Sequence, residues 1–188
     1  MSDSVPATAA AFIAASVDGY IARPDGALDW LRGHDGAESD PGDGGEEHGY
    51  AAFMASVDAL ALGRKTFEKV LTFGAWPYAG KRVVVLSSGA PSVPDELRDA
   101  VEVLDLAPEA LLRYLGAAGV RRVYVDGGDT IQRFLRAGLL EELIVTRAPV
   151  LLGAGIPLFG SLPTDVRLTH VRTEAYANGL VQSRYRVG

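Results

Sequence analysis

The chain has 188 residues, 48% hydrophobic and 22% charged, with 22 glycines, 10 prolines, no cysteine and a formal net charge of −6. That length fits one domain with a full core, and near-average composition excludes collagen-like, disordered and disulfide-scaffold chains. The absence of cysteine removes disulfides, thiolate zinc sites and thiol nucleophiles. The acidic balance argues against a nucleic-acid partner, whose usual footprint is a domain pI above about 9.

The alanine-rich stretch 1–11 has no basic residue ahead of its apolar run, unlike a secretory signal. No apolar stretch approaches the roughly 20 residues of a membrane span. The expectation is one soluble, cytoplasmic domain over 1–188, with no membrane partner.

In chain order, residues 10–16 read as a strand, ended by the turn Val17-Asp18-Gly19. Residues 33–49 carry six acids, six glycines and no large apolar side chain, so they cannot join a core and read as a flexible loop or an active-site flap. Residues 33–45 are expected to be mobile without substrate. A short apolar strand at 59–62 leads through Gly63 to a helix at 66–71. Arg82–Leu86, with three valines in a row, is the clearest strand. A strand at Val101–Leu104 is followed by Pro108, suited to the first turn of a helix over 109–118, which Gly119 stops. The strand Arg122–Asp126 then precedes a helix at 130–137, with Ile131, Phe134 and Leu135 on one face and Gly138 at its end. A strand at 143–147 follows. Segments 166–176 and 180–187 flank Asn178-Gly179, a hairpin signal read as a type I′ turn. Continuous apolar runs point to strands buried on both faces. Alternating strands and helices point to an α/β fold with a mixed, mainly parallel sheet, closed by a C-terminal antiparallel hairpin.

Three strand ends carry residues suited to phosphate. Gly63-Arg64-Lys65-Thr66 opens a helix, where free N–H groups and two cations attract an anion; Arg64 can grip phosphate bidentately. The alternative is a basic turn that only caps a helix. Ser87 and Ser88 end the next strand and offer hydroxyls, though serine is also an ordinary turn residue. Gly127-Gly128-Asp129-Thr130, after Asp126, lets backbone approach a ligand closely ahead of a helix; the alternative is a tight turn with Asp129 or Thr130 as N-cap. None of these, nor Gly153-Ala154-Gly155, matches the dinucleotide fingerprint or a Walker motif. Together they look like a dinucleotide site at the carboxyl ends of one sheet. His34, His48 and His170 are scattered and form no metal motif, and no nucleophile elbow occurs. The carboxylates near these loops are Asp18, Asp29, Glu46, Glu47 and Asp129.

The stretches AASVDGYIA (14–22), GALDWL (26–31), LALGRKTFE (60–68), VVVLSS (83–88), VYVDGG (123–128) and PVLLGAGIPLF (149–159) resemble, in order and spacing, the dihydrofolate reductase-like superfamily. Within it the chain looks most like stand-alone relatives of the reductase domain of the bifunctional riboflavin-biosynthesis deaminase-reductase. The resemblance implies a three-layer fold and an NADPH-dependent reductase that passes a hydride to a pyrimidine-, pterin- or similar C=N/C=O small molecule, as 5-amino-6-(5-phosphoribosylamino)uracil reductase does. It implies a homodimer. Arg64, Lys65 and Thr66 after Gly63 would hold the adenosine 2′-phosphate and pyrophosphate, with Ser87 and Ser88 on the adenosine side. Gly127 and Gly128, joined by a cis peptide, would lie beside the cofactor, with Asp129 and Thr130 on the pyrophosphate. Ala15 and Ile21 would line the nicotinamide pocket.

The resemblance also places Trp30 after the flexible loop. Glu47 has the spacing from Gly63 of the dihydrofolate reductase helix carboxylate. A helix over 46–57 would put it on one face with Tyr50, Ala51 and Met54 as a substrate wall; Glu46 and Glu47 are equally readable as first-turn acids. Glu47 and then Asp29 are the candidate catalytic acids. The chain departs from the riboflavin enzymes in lacking their D-D-P-x-L-x-x-R stretch, which serves the ribose phosphate. A non-catalytic NADP-binding protein and a true dihydrofolate reductase stand as alternatives.

Overall fold

The computed structural model describes residues 5–31 and 48–188. Its framework is a row of short apolar strands interspersed with helices: β1 (Thr8–Ser16), β2 (Tyr20–Ala22), α1 (Tyr50–Ala55), β3 (Ala59–Gly63), α2 (Arg64–Val70), β4 (Arg82–Leu86), β5 (Val101–Leu104), α3 (Pro108–Ala117), β6 (Arg122–Asp126), α4 (Gly128–Arg136) and β7 (Glu142–Ala148). The chain ends in β8 (Ile156–Pro157), β9 (Leu168–Ala175) and β10 (Val181–Val187).

Eight strands form one sheet in the order β5-β4-β3-β6-β1-β7-β10-β9. The six from β5 to β7 run parallel, and β10 runs antiparallel to both β7 and β9. Helices on both sides explain the continuous apolar runs. Phe53, Val57, Phe67 and Val70, from α1 to α2, pack on Leu60, Leu62, Val83 and Val85. On the opposite face Leu111, Leu115, Ile131 and Phe134 of α3 and α4 pack on Ala61, Val84 and Val125. Val83, Val84 and Val85 therefore all lose their surface to solvent, alternating between two cores. The expected three-layer α/β fold with a C-terminal antiparallel hairpin is the one observed.

The connections place a site. From β3 the chain passes through α2 to β4, toward one edge; from β6 it passes through α4 to β7, toward the other. Since β3 and β6 are hydrogen-bonded neighbours, the sheet's topological switch point lies between their carboxyl ends, where open α/β sheets bind ligands.

Several local expectations are corrected. The α1 helix begins at Tyr50, not 46, because His48 and Gly49 take φ of 39° and 78°, outside the helical region. Glu46, Glu47 and the segment 33–45 expected to be mobile lie outside the described residues. The Asn178-Gly179 turn is not type I′: only Gly179 has positive φ, at 84°. Gly179 N–H donates to the Tyr176 carbonyl at 2.9 Å and Tyr176 N–H to Leu180 at 2.9 Å, a three-residue loop with glycine in the left-handed position. Helix α4 starts two residues early, at Gly128, with Gly127 rather than Asp129 or Thr130 as its cap. The Gly127–Gly128 peptide is trans; the turn is made instead by Gly127 at φ 95°, ψ 139°, open to glycine alone. A small two-stranded sheet of β2 and β8 was not foreseen.

Candidate active site

At the switch point two turns interlock. A β-carbon on Gly127 would overlap the Thr66 hydroxyl, and one on Gly63 would sit 2.9 Å from Thr130 Oγ1. Each glycine thus makes room for the threonine of the other turn. A β-carbon on Gly128 would meet Ile21 Cδ1 and the Pro157 carbonyl, both at 2.9 Å, so the β2–β8 sheet rests on the double glycine. Neither α2 nor α4 has a side-chain cap on its first N–H groups, so these amides keep their capacity for an outside acceptor.

The predicted residues fall along one edge. Strand order sets the carboxyl ends of β4, β3, β6 and β1 side by side, which brings Ser87 and Ser88, then Gly63 to Thr66, then Gly127 to Thr130, then Ala15 into one row. Arg64 and Lys65 are exposed, with Arg64 paired to Glu68 at 2.9 Å across one helical turn. Ser87 Oγ accepts the Gly89 N–H at 3.1 Å, Ser88 is exposed, and Asp129 is exposed beside buried Thr130.

Asp18 ties down the adjacent loops. Its Oδ1 accepts from Ser16 Oγ at 2.6 Å and Leu152 N–H at 3.1 Å, and its Oδ2 from Gly153 N–H at 2.7 Å. The Ser16 hydroxyl, with these amides, holds the carboxyl below its ordinary range. Asp18 therefore fastens the β1 turn to the loop before β8. Ala15 lines a cavity of about 290 Å³ beneath that turn.

The substrate-side candidates divide. Tyr50 and Met54, half-buried on α1, pack beside Phe12 and Phe53; Phe12 and Tyr50 meet edge-on at 5.4 Å. Trp30 is buried, and its indole N–H meets no acceptor among the described residues. Asp29 receives Arg23 bidentately at 2.7 and 2.9 Å at the surface, and that guanidinium holds its carboxyl below the usual range.

Sequence reasoning passed over Asp126 and Tyr78. Asp126, the last residue of β6, is half-buried and accepts the Gly127 N–H at 2.8 Å. Tyr78 and Tyr124 stand near its carboxyl and favour its charged form, while the Tyr124 hydroxyl donates to the Phe12 carbonyl at 2.8 Å. Burial pushes that carboxyl up to about 6, and burial with the Asp126 charge pushes Tyr50 up to about 12. The signal was present in VYVDGG, where an acid closes a strand of buried apolar residues. Its partners Tyr78 and Tyr50 are remote in sequence, so nothing local marked it.

This geometry agrees with what the chain resembles. The profile of the RibD C-terminal domain matches residues 7–182. The chain belongs to the RibD C-terminal domain family. It is 33% identical over 177 residues to protein YwjB of Bacillus subtilis (strain 168), covering 93% of this chain and 94% of that one. The crystal structure of a "Putative riboflavin biosynthesis protein" from Shewanella sp. PV-4 superposes with a TM-score of 0.86 at 38% identity, covering 96% of this chain and 99% of that one. A Thermotoga maritima diaminohydroxyphosphoribosylaminopyrimidine deaminase/5-amino-6-(5-phosphoribosylamino)uracil reductase shares the fold, with a TM-score of 0.71 at 16% identity. The alignment covers 96% of this chain but 56% of that longer protein. Membership of the RibD C-terminal family thus fits a riboflavin-pathway, reductase-like protein whose interlocked glycine turns lie at the expected sheet edge. No helix among the described residues is long and apolar enough to cross a membrane.

Proposed function

We propose that this protein is an NADPH-dependent reductase of a small C=N/C=O heterocycle. The observation that carries the reading is the pair of interlocked turns at the β3/β6 switch point, where Gly63, Gly127 and Gly128 let Thr66, Thr130 and the β2–β8 sheet close in around the uncapped start of α4. These residues fit a dinucleotide. Uncapped amides of α4, with Thr66 and Thr130, suit a pyrophosphate; Arg64 and Lys65 suit the 2′-phosphate; Ser87 and Ser88 suit the adenosine side. Ala15 and Ile21, beside the double glycine, suit the nicotinamide end.

When bound, NADPH supplies the hydride. The chain's own contribution is positioning and electrostatics. Asp18 holds the β1 turn and the 152–153 loop together over the site, and the rigid β3 and β6 turns fix where the ligand's phosphates rest. The aromatic wall of Tyr50, Phe53 and Phe12 excludes water from the substrate side. A carboxyl group then delivers the proton that completes the reduction.

The experiment is NADPH oxidation followed by absorbance with 5-amino-6-ribosylaminouracil, with and without its phosphate. Enzyme-dependent consumption with either form supports the reductase reading. Tight NADPH binding without consumption of either supports a non-catalytic binding protein.

A further inference from the structure

After β7 the chain forms no further helix among the described residues; it passes to β8 and the C-terminal hairpin. Ile131 and Phe134 of α4 cover the inner strands of that face, so its outer strands β7, β10 and β9 stand partly open. A cavity of about 290 Å³ lies there, at the small end of ligand pockets. Its floor is Leu143 and Val145 of β7, which are buried, and its wall is Leu158 and Phe159 after β8, with Leu168 at the start of β9. Phe159 and Leu168 keep 46% and 44% of their surface exposed, so apolar area remains for a ligand to cover.

Donors stand beside that floor. Strand β10 pairs with β7 in the register Val181 to Arg147, Ser183 to Val145 and Tyr185 to Leu143. Alternate residues of a strand share a face, so Arg147, Ser183 and Tyr185 line the same cavity as the two apolar floor residues. The exposed Arg147 guanidinium and the Tyr185 hydroxyl have no partner among the described residues. Ser183 Oγ joins a chain: it lies 2.9 Å from Thr173 Oγ1, which lies 2.8 Å from His170 Nε2. Thr173 has one proton to give. When His170 carries its proton on Nε2, Thr173 accepts from it and donates to Ser183, and the Ser183 proton is free to point into the cavity. The other charge lining the cavity, among the described residues, is the Asp18 carboxylate, already matched by Ser16, Leu152 and Gly153. The cavity thus sets donors, one of them a cation, beside an apolar floor.

We infer that this cavity binds a small organic acid with an apolar body. Its carboxylate meets Arg147, which can hold it bidentately, with Ser183 and Tyr185 as further donors, and its body lies on Leu143, Val145 and Leu158. The site opens on the α4 face, opposite the face that carries Tyr50 and Phe53. It adjoins the proposed nicotinamide end only through Ala15 and the turn after it. It does not depend on the reductase reading.

The test compares phenylacetate, its neutral amide phenylacetamide and bare acetate, by calorimetry on the whole protein at low salt. Phenylacetate is expected to bind roughly tenfold tighter than the amide, acetate not measurably, and added salt to narrow the gap. Arg147→Gln should bring phenylacetate down to the level of the amide and leave the amide unchanged. An unchanged unfolding midpoint shows that this variant is folded; should it not fold, the order of probes on the unmodified protein decides. Nitrogen NMR of the imidazoles should show His170 protonated on Nε2 in the phenylacetate complex. Phenylacetate binding should persist with NADPH present in excess. Equal binding of acid and amide, a preference surviving in Arg147→Gln, His170 protonated on Nδ1 alone in the complex, or displacement by NADPH would overturn the inference. So would failure of phenylacetate to bind; if Phe159→Asp then turned a dimer into a monomer, the face would belong to a second copy of this chain.

Discussion

The Thr66 hydroxyl fills the space that a β-carbon on Gly127 would need. Two turns from different strands thus share one volume, and the sharing is only possible because Gly127 has no side chain and takes a φ of 95°. Gly127→Ala should cost about 1–3 kcal/mol for the backbone alone, with the Thr66 clash added to it. Denaturant titration should show the lowered midpoint. Thr66→Ala in the same chain should recover the clash but not the backbone part, so the two changes should be non-additive. Strict additivity would mean the turns do not touch.

Asp18 gives the protein a pH-dependent fastening. Its folded carboxyl is held low, first by Ser16, with the amides of Gly153 and Leu152 adding to it against the opposing effect of burial. A lowered carboxyl contributes stability that is present above the unfolded value near 3.9 and is lost as pH falls through the lower folded value. Thermal unfolding followed from about pH 6 to about pH 2 should show that acid limb. It should flatten in Asp18→Ala, which also loses the loop fastening at neutral pH. An unchanged acid limb in the variant would place the effect elsewhere.

Phe134 anchors α4, and through it the double-glycine turn, to the sheet. It is fully buried in the α3/α4 core with Ile131 and Leu115. Phe134→Ala should cost about 3–5 kcal/mol, read as a shifted denaturation midpoint with an unchanged slope. A cost below about 1 kcal/mol, at the level of a surface change, would mean this core is not tightly packed.

What the sequence disclosed followed from how local each cause is. The valines of β4 and the apolar face of α3 are set by runs of a few residues, so their limits were legible to within a residue, whereas α4 begins two residues earlier than expected. The β2–β8 pair spans only two or three residues on each side and is held by tertiary contacts, including Gly155 against Ala22 and Tyr20, so it left no periodic signal. The cap of α4 shifted to Gly127 because the close approach of Thr66 fixes that residue's backbone, which no local propensity encodes. The row of turns at the carboxyl ends of β4, β3 and β6 was legible through residues at strand ends. The Asp126 cluster was not, since its tyrosines arrive from α1 and from the loop before β4.

The account rests most on a dinucleotide phosphate site at Arg64, Lys65 and Thr66. NADPH and NADH differ only at the 2′-phosphate, and a hydrogen bond to a charged group contributes about 1.5–3 kcal/mol, or roughly 10- to 100-fold in affinity. The exposed Arg64–Glu68 pair contributes little by itself and does not keep Arg64 from a dianion. The direct measurement is titration of both cofactors by quenching of Trp30 and Trp76 fluorescence, on the unmodified protein and on Arg64→Ala, at low and high salt. The account predicts a 10- to 100-fold preference for NADPH that salt erodes and Arg64→Ala largely removes, with NADH affinity unchanged. Equal affinities for NADPH and NADH in the unmodified protein would contradict it.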